Sequence, residues 1–400
     1  MNAQNRWSTR INKNMRVLIS GGGTGGHIYP ALAIATGMQE QYQAEILFLG
    51  SDDGLETEIV PTAGFRLATV KAGRLRRYIS PQTITGMLRI PLGMFQAIGI
   101  VRKFRADVAF TSGGFVSVPA ALAARLNGVP LLMHQQDVPP NLSNRLSAPL
   151  AKRISVAFAD SLPYFPARKT VLLGNPVRQA MLDVMEIPPQ EARSRLGFVA
   201  NQPLLVVTGG SQGARHLNQV LCHALPLLLA RCPGLQVLQI SGKDLYNETR
   251  TLADSILTEQ LTQGEQATRD ELQKRYRLVA YLNEEMPLAL QAADLVFCRS
   301  GASTLTELAT LGKPSILVPL PPAIGSSPQE ANAAMFARKE AAIVIKDIDL
   351  TPDILVERVQ SLMSSPGQLA AMAQAVKSFA KPGATQDIVK EIVNIARKNV

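Results

Sequence analysis

Short apolar runs recur along the chain, each ending in glycine, serine, histidine or aspartate and each followed by a stretch that suits a helix. Val17 to Ile19 runs through Ser20 into Gly21-Gly-Gly-Thr-Gly-Gly-His27, and Tyr29-Pro-Ala-Leu-Ala-Ile-Ala35 continues as a helix start. Ile46 to Gly50 reads as a strand, Leu55 to Ala63 as a helix and Phe65 to Val70 as another strand. After a region punctuated by proline and glycine, Val108 to Thr111 empties into Ser112-Gly-Gly-Phe115 ahead of the Ala-rich helix Val118 to Leu126. Val129 to His134 is a buried strand that ends in His134-Gln-Gln-Asp137, and Ile154 to Phe158 and Val171 to Leu173 add two more. Such alternation predicts a parallel, doubly wound α/β sheet with its ligand site at the carboxyl ends of the strands, where these Gly, His and Asp clusters fall.

The pattern then starts again. Past Gly174-Asn-Pro-Val-Arg178 the chain turns polar up to Pro188-Pro189, and Leu204-Leu-Val-Val-Thr-Gly-Gly-Ser-Gln-Gly213 repeats the strand, glycine loop and helix of the opening. Further strands read at Gln236 to Ile240, Arg277 to Ala280, Leu295 to Cys298, Ser315 to Val318 and Ala342 to Ile345. Thr385 to Lys398 is an amphipathic helix with Ile388, Ile392 and Ile395 on one face. Two Rossmann-like domains facing a cleft are therefore expected: a polar extension over 1–14, an N-terminal domain over 15–175, a C-terminal domain over 176–384, and a closing helix over 385–400.

Glycines let a backbone approach a ligand closely, and loop amides with a helix N-terminus favour an anion, so the opening loop calls for a phosphorylated ligand. Gly21, Gly23 and Gly26 also satisfy G-x-G-x-x-G, which leaves a dinucleotide as an alternative. Cys298-Arg-Ser-Gly-Ala-Ser-Thr-Leu-Thr-Glu307 is a further strand-to-helix loop. Glu307 suits the hydroxyls of a ribose, or equally the acid of a capping box begun at Ser303 or Thr304. His27 and His134 each follow a strand end, where a histidine binds phosphate or moves a proton near neutral pH. The helical His216 and His223 read as structural, as do Asp347 and Asp349 despite their D-x-D spacing. Metalloprotease, serine-hydrolase and P-loop signatures are all missing.

Composition narrows this further. With 46% hydrophobic and 18% charged residues the chain has ample core for two globular domains. No apolar run reaches the ~18 residues of a membrane helix, and Met1 to Asn14 lacks the apolar stretch of a signal peptide, which points to the cytoplasm. Cys222, Cys232 and Cys298 form no C-x-x-C pair, so neither disulfides nor a cysteine zinc site is expected. The net charge of +10 lies wholly in the first part: residues 1–175 hold 19 Lys/Arg against 9 Asp/Glu, and 176–400 hold 22 of each. Between Ile59 and Ala106 there is no acidic residue, while Arg66, Lys71, Arg74, Arg76, Arg77, Arg89, Arg102, Lys103 and Arg105 alternate with apolar residues such as Phe95. Basic and apolar together suit an anionic membrane surface, with a solvated charged face as the plain alternative. Nucleic acid is not expected, since stacking platforms and recognition motifs are absent.

Read together, Gly22-Gly-Thr-Gly-Gly-His27, Thr111-Ser-Gly-Gly-Phe-Val-Ser117, His134-Gln-Gln-Asp137, Gly174-Asn-Pro-Val-Arg178, Gly209-Gly-Ser-Gln-Gly213, Cys298-Arg-Ser-Gly-Ala302 and Gln329 with Asn332-Ala333 resemble, in order, the MurG family of glycosyltransferases (glycosyltransferase family 28). The likeness spans about residues 15 to 398. It implies a GT-B fold whose last helix returns to the N-terminal domain. It also implies an inverting enzyme that moves N-acetylglucosamine from UDP-N-acetylglucosamine to the muramyl 4-hydroxyl of lipid I, making lipid II for peptidoglycan. By that resemblance Arg178, Ser211, Arg299, Ala302, Ser303 and Thr304 hold the nucleotide diphosphate, Glu307 the ribose and the backbone at Leu282 the uracil. Asp137, Ala302 and Gln329 face the sugar, while His134 and Asn144 serve the acceptor. Thr24, Gly25 and Gly26 lie where donor and acceptor meet, with His27 as the catalytic base or as a ligand of the acceptor diphosphate.

The family resemblance further implies a membrane patch at Arg74, Arg76, Arg77 and Phe95, a peripheral place on the cytoplasmic face of the cell membrane, cell-wall synthesis proteins as partners, and no metal or other cofactor. Two departures stand out. The family's usual His-Glu-Gln-Asn is here His134-Gln-Gln-Asp137, and its polar run before the last sugar-contacting Gln is here Leu320-Pro-Pro-Ala-Ile-Gly-Ser-Ser-Pro328. A diacylglycerol glycosyltransferase and a UDP-N-acetylglucosamine 2-epimerase of the same fold are the alternative readings. A nicotinamide oxidoreductase lacks its acid at the end of the second strand.

Overall fold

A computed structural model describes residues 15–71, 81–261, 274–321 and 329–397. The chain divides into two compact units, Met1–Arg178 with Lys381–Val400, and Gln179–Ala380. The break therefore falls after Arg178, and the closing helix joins the first unit.

The first unit is built on β1 (Arg16–Ser20), β2 (Glu45–Ser51), β3 (Arg66–Val70), β4 (Val108–Thr111), β5 (Leu131–Gln135), β6 (Arg153–Val156) and β7 (Thr170–Leu172). They form one sheet in the order β3-β2-β1-β4-β5-β6-β7, with every pair parallel. Side chains alternate across such a sheet, and here both faces are apolar. Val17, Ile19, Ile46, Phe48, Val108 and Phe110 enter one core with the helix Gly25–Tyr42, while Leu18, Leu47, Leu49, Ala109 and Met133 enter the other. The closing helix, Ala384–Arg397, lays Ile388, Val389, Ile392 and Val393 into the first of these cores. It crosses the opening helix at Gly37, where an added Cβ would stand 3.1 Å from Val389 Cγ2.

The second unit holds β8 (Leu204–Thr208), β9 (Gln236–Ile240), β10 (Tyr276–Val279), β11 (Leu295–Cys298), β12 (Ser315–Leu317) and β13 (Ala342–Val344), in the order β10-β9-β8-β11-β12-β13 and again wholly parallel. Leu205, Val207, Phe297 and Ile316 pack with Leu217, Leu221, Leu225 and Leu228 of the helix Arg215–Arg231.

In each sheet the winding reverses between the first and fourth strands, β1 and β4 in one and β8 and β11 in the other. Open parallel sheets bind ligands beyond the strand ends at that reversal. One element departs from the sequence reading. The proline- and glycine-punctuated basic region contains a long helix, Pro81–Phe104, which accommodates Pro91. No helix among the described residues is long and apolar enough to cross a membrane.

Candidate active site

The glycine loop after β1 and the glycines after β4 lie backbone against backbone. Gly114, at φ +89°, would place a Cβ 2.2 Å from the Gly22 carbonyl oxygen, and a Cβ on Gly21 would stand 2.0 Å from Ser112 Oγ. That hydroxyl donates to the His27 carbonyl at 2.7 Å, and Ser112 N donates to Ser20 O at 2.9 Å. Only residues without side chains allow the two strand ends to close in this way. The helix Gly25–Tyr42 starts at Gly25, with Thr24 as its extended N-cap.

His27 sits on the first turn of that helix. Its Nδ1 lies 3.2 Å from Thr24 Oγ1, and its ring lies along Gly113, where an added Cβ would stand 2.9 Å from Nε2. Burial lowers the pKa of the imidazole below its ordinary 6.5, opposed by the charge of Asp137, by the Gly22 carbonyl and by the charge of Glu56. The ring is therefore neutral at pH 7, the state a general base requires. Asp137 is buried, and its carbonyl accepts from Gln135 Nε2 at 2.6 Å and Ser161 Oγ at 3.3 Å.

The two residues assigned to the acceptor, His134 and Asn144, are buried and hydrogen-bonded within the first unit. His134 is 0% exposed; its Nδ1 meets Ser155 Oγ and its Nε2 meets Asn175 Oδ1, each at 2.9 Å. The histidine lies on β5 rather than beyond it, so its ring reaches sideways to β6 and to the segment after β7. Burial pushes its pKa down to about 4. These two hydrogen bonds tie the end of β5 to β6 and to the segment after β7. Asn144 is also buried, with Nδ2 donating to His134 O at 3.1 Å and to Gln135 Oε1 at 2.7 Å. The amide at position 135 thus takes a neutral hydrogen bond where the family's usual acid would carry charge. Arg178 stands with the first loop's helix, its guanidinium 4.8 Å from the centre of the Tyr29 ring.

The second unit repeats the construction. Gly213, at φ +75°, would place a Cβ 2.0 Å from Ser241 O, so the loop after β8 presses on the end of β9. Ser211 at its tip is exposed. The helix Ala302–Leu311 follows β11, with Gly301 as its N-cap and no side-chain cap hydrogen bond. Ser303 and Thr304 are therefore first-turn residues, and Glu307, past the first turn, is not a capping-box acid. This sets the capping-box reading aside, and the helix start presents first-turn amides that suit an anion. Gln329 belongs to the same place: its Oε1 accepts from Leu320 N at 3.0 Å, its carbonyl accepts from Ser300 Oγ at 2.9 Å, and Asn332 Nδ2 donates to Ser300 O at 3.1 Å. Ala302 is buried beside it, and Leu282 lies in the irregular stretch beyond β10.

Arg299 leads from β11 into the helix Ala302–Leu311. It is nearly buried, pairs with Asp347, and donates to the carbonyls of Val318 and Pro319 at 3.2 and 3.3 Å. Asp347 also lies 3.2 Å from His216 Nδ1. A guanidinium held by a carboxylate and two carbonyls anchors the loop ahead of Ser300. The acid of the D-x-D sequence is thus a counter-ion, as its structural reading implied. Among the described residues, no group of three or more His, Cys, Asp or Glu is placed to hold a metal ion. Of the membrane-patch residues, Phe95 is 74% exposed on the helix Pro81–Phe104, with Leu92 also exposed; Arg74, Arg76 and Arg77 lie outside the described residues.

Two family models match, the glycosyltransferase family 28 N-terminal domain over residues 17–156 and the family 28 C-terminal domain over 204–388. A UDP-N-acetylglucosamine–N-acetylmuramyl-(pentapeptide) pyrophosphoryl-undecaprenol N-acetylglucosamine transferase of Desulforudis audaxviator is 40% identical, over 96% of this chain and 99% of that one. Its counterpart in Desulfitobacterium hafniense is 39% identical, over 96% and 100%. Among solved structures, Acinetobacter baumannii MurG superposes with a TM-score of 0.72 at 26% identity, covering 96% of this chain and all of that one. The fold is GT-B, and the chain is a glycosyltransferase that belongs to family 28, within its MurG family of N-acetylglucosamine transferases.

Proposed function

We propose that this enzyme transfers N-acetylglucosamine from UDP-N-acetylglucosamine to the 4-hydroxyl of the muramyl sugar in lipid I, with inversion, to form lipid II. The observation that carries the reading is the helix start at Ala302, an anion seat with a glycine cap and Glu307 one turn on, in a chain whose relatives are named for this transfer. In this reading the donor diphosphate is met by the first-turn amides of Ala302, Ser303 and Thr304 and by Ser211. Glu307 accepts the ribose hydroxyls, the backbone at Leu282 meets the uracil, and Gln329 faces the sugar. Thr24, Gly25 and Gly26 lie where donor and acceptor meet, and Arg178 supplies positive charge to the donor diphosphate.

The muramyl oxygen attacks the anomeric carbon on the face opposite UDP. The bond from that carbon to the diphosphate oxygen breaks with its electron pair, and the hydroxyl proton passes to the neutral imidazole of His27. Oriented amides at a helix start stabilise the departing diphosphate charge. Asp137 lies in the first unit with His27 and holds the imidazolium once it forms. The protein works at the anionic inner face of the cytoplasmic membrane as a peripheral protein, with the exposed Phe95 and Leu92 dipping into lipid and the basic segment meeting headgroups. Cell-wall synthesis proteins are its expected neighbours there.

The test is incubation with labelled UDP-N-acetylglucosamine and a lipid I analogue. A lipid-linked disaccharide is expected, and its absence in every detergent and salt condition would overturn the reading. Glu307→Ala should raise the donor KM at least tenfold with a smaller change in kcat, since a lost charge-assisted hydrogen bond to a hydroxyl is worth about 1.5–3 kcal/mol. An unchanged donor KM removes Glu307 from the ribose.

A further inference from the structure

Glu56 is an acid that the reaction above does not use, yet the first glycine loop is assembled around it. It opens the helix Glu56–Thr62 after β2 and is 1% exposed. Its Oε2 accepts from Gly23 N at 3.0 Å, and its Oε1 accepts from Ser51 N at 2.9 Å and Ser51 Oγ at 2.8 Å. Three glycines from two segments make room for it. An added Cβ would stand 2.5 Å from Oε1 at Gly22, 2.6 Å from Cγ at Gly50 and 2.3 Å from Oε2 at Gly54.

We propose that Glu56 is the positioning residue of the first glycine loop: its carboxylate, lodged among Gly22, Gly50 and Gly54, fixes the Gly23 amide and with it the path of Thr24 to His27. A carboxylate buried this deeply is tolerated because three donors converge on its two oxygens. The Gly23 amide is thus turned toward an internal anion. A ligand's diphosphate is met by the groups from Thr24 onward, which places it on the His27 side of the loop. The inference deepens the lipid I reading for its kinetic consequence and stands apart from it for its structural one.

Glu56→Gln separates position from bulk. The carboxamide keeps the volume but offers one oxygen to three donors, and its NH2 group faces either Gly23 N–H or Ser51 N–H. The charged groups acting on His27 are Asp137 and Glu56, and the neighbouring ring of His134 is neutral at pH 7. In nitrogen-labelled full-length protein the Gly23 amide resonance should move upfield and the His27 imidazole should titrate at lower pH in Glu56→Gln. In the lipid I assay kcat should fall about 10- to 100-fold, the range of a misplaced reacting group, with donor KM changed less than twofold. Gly54→Ala, which pushes a methyl into Oε2 without removing the charge, should lower kcat in the same way and decides the matter if Glu56→Gln does not fold. A Gly23 amide and a His27 titration identical to wild type, or an unchanged kcat in a folded variant, overturns the proposal. If wild-type protein transfers nothing to lipid I, the reading of function fails while the two resonances still decide the role of Glu56.

Discussion

His27 and His134 show how one residue type in two surroundings does different work. His27 is held below its ordinary pKa by burial and pulled back up chiefly by Asp137. If it is the base, kcat/KM falls as pH drops through its pKa, and Asp137→Asn, by removing the charge that favours the imidazolium, should move that acid limb to lower pH. An acid limb that stays in place in Asp137→Asn removes either His27 as the base or Asp137 as its partner. His134 is a different case, with a folded pKa of about 4 against 6.5 for the unfolded chain. Between those values the unfolded state binds more protons, so stability is intact above about pH 6.5 and is lost as pH falls toward 4, by roughly 3 kcal/mol for this group. Denaturant titrations at pH 7 and pH 4.5 should show that loss. His134→Gln should be less stable at pH 7 but should lose less between the two pH values. Both histidines close strand-end patterns in the sequence; only pairing across the sheet, to Ser155 and Asn175, distinguishes them. The signal for Glu56 is one acid among several, Asp52, Asp53 and Glu58 beside it, preceded by Gly50 and Gly54, and it gains meaning only once β1 and β2 are neighbours.

The strands are legible from apolar runs because both faces of these parallel sheets are covered, and the loops are legible from glycine. The long helix Pro81–Phe104 is not, since Pro81, Gly86, Pro91, Gly93 and Gly99 read locally as breaks, and the packing of Ala97, Val101 and Phe104 rather than propensity supports its later part. Glycine carries the clearest expectation for an element. At Gly114, φ is +89° and an added Cβ would stand 2.2 Å from the Gly22 carbonyl oxygen. Gly114→Ala should cost about 1–3 kcal/mol from conformation alone and more from the collision. Thermal unfolding of the first unit should fall accordingly, and activity should fall further than stability because the loop carrying His27 is displaced. A variant as stable as wild type would mean that the two loops do not abut. The Arg299–Asp347 pair belongs to this scale as well: neither residue announces the other across 48 positions, and register alone brings the loop after β11 to the turn after β13.

At the scale of the whole molecule, two sheets of one design each keep a glycine loop at the reversal of strand order, and this doubling was visible in the repeated strand-to-glycine pattern. The charge excess is confined to the first part of the chain, where Phe95 stands exposed. Replacing Arg74, Arg76 and Arg77 with Gln should weaken binding to anionic vesicles, and the wild-type advantage should shrink as salt rises. Phe95→Ser should weaken binding at all salt concentrations. If neither affects vesicle binding, the basic segment is an ordinary solvated face. The central claim is inverting transfer to a lipid-linked sugar, and nuclear magnetic resonance of the disaccharide made from UDP-N-acetylglucosamine and a lipid I analogue tests it most directly. The account predicts a single β-linked product that requires the acceptor and is lost in His27→Ala; an α linkage, or epimerisation of the donor with no transfer, would contradict it.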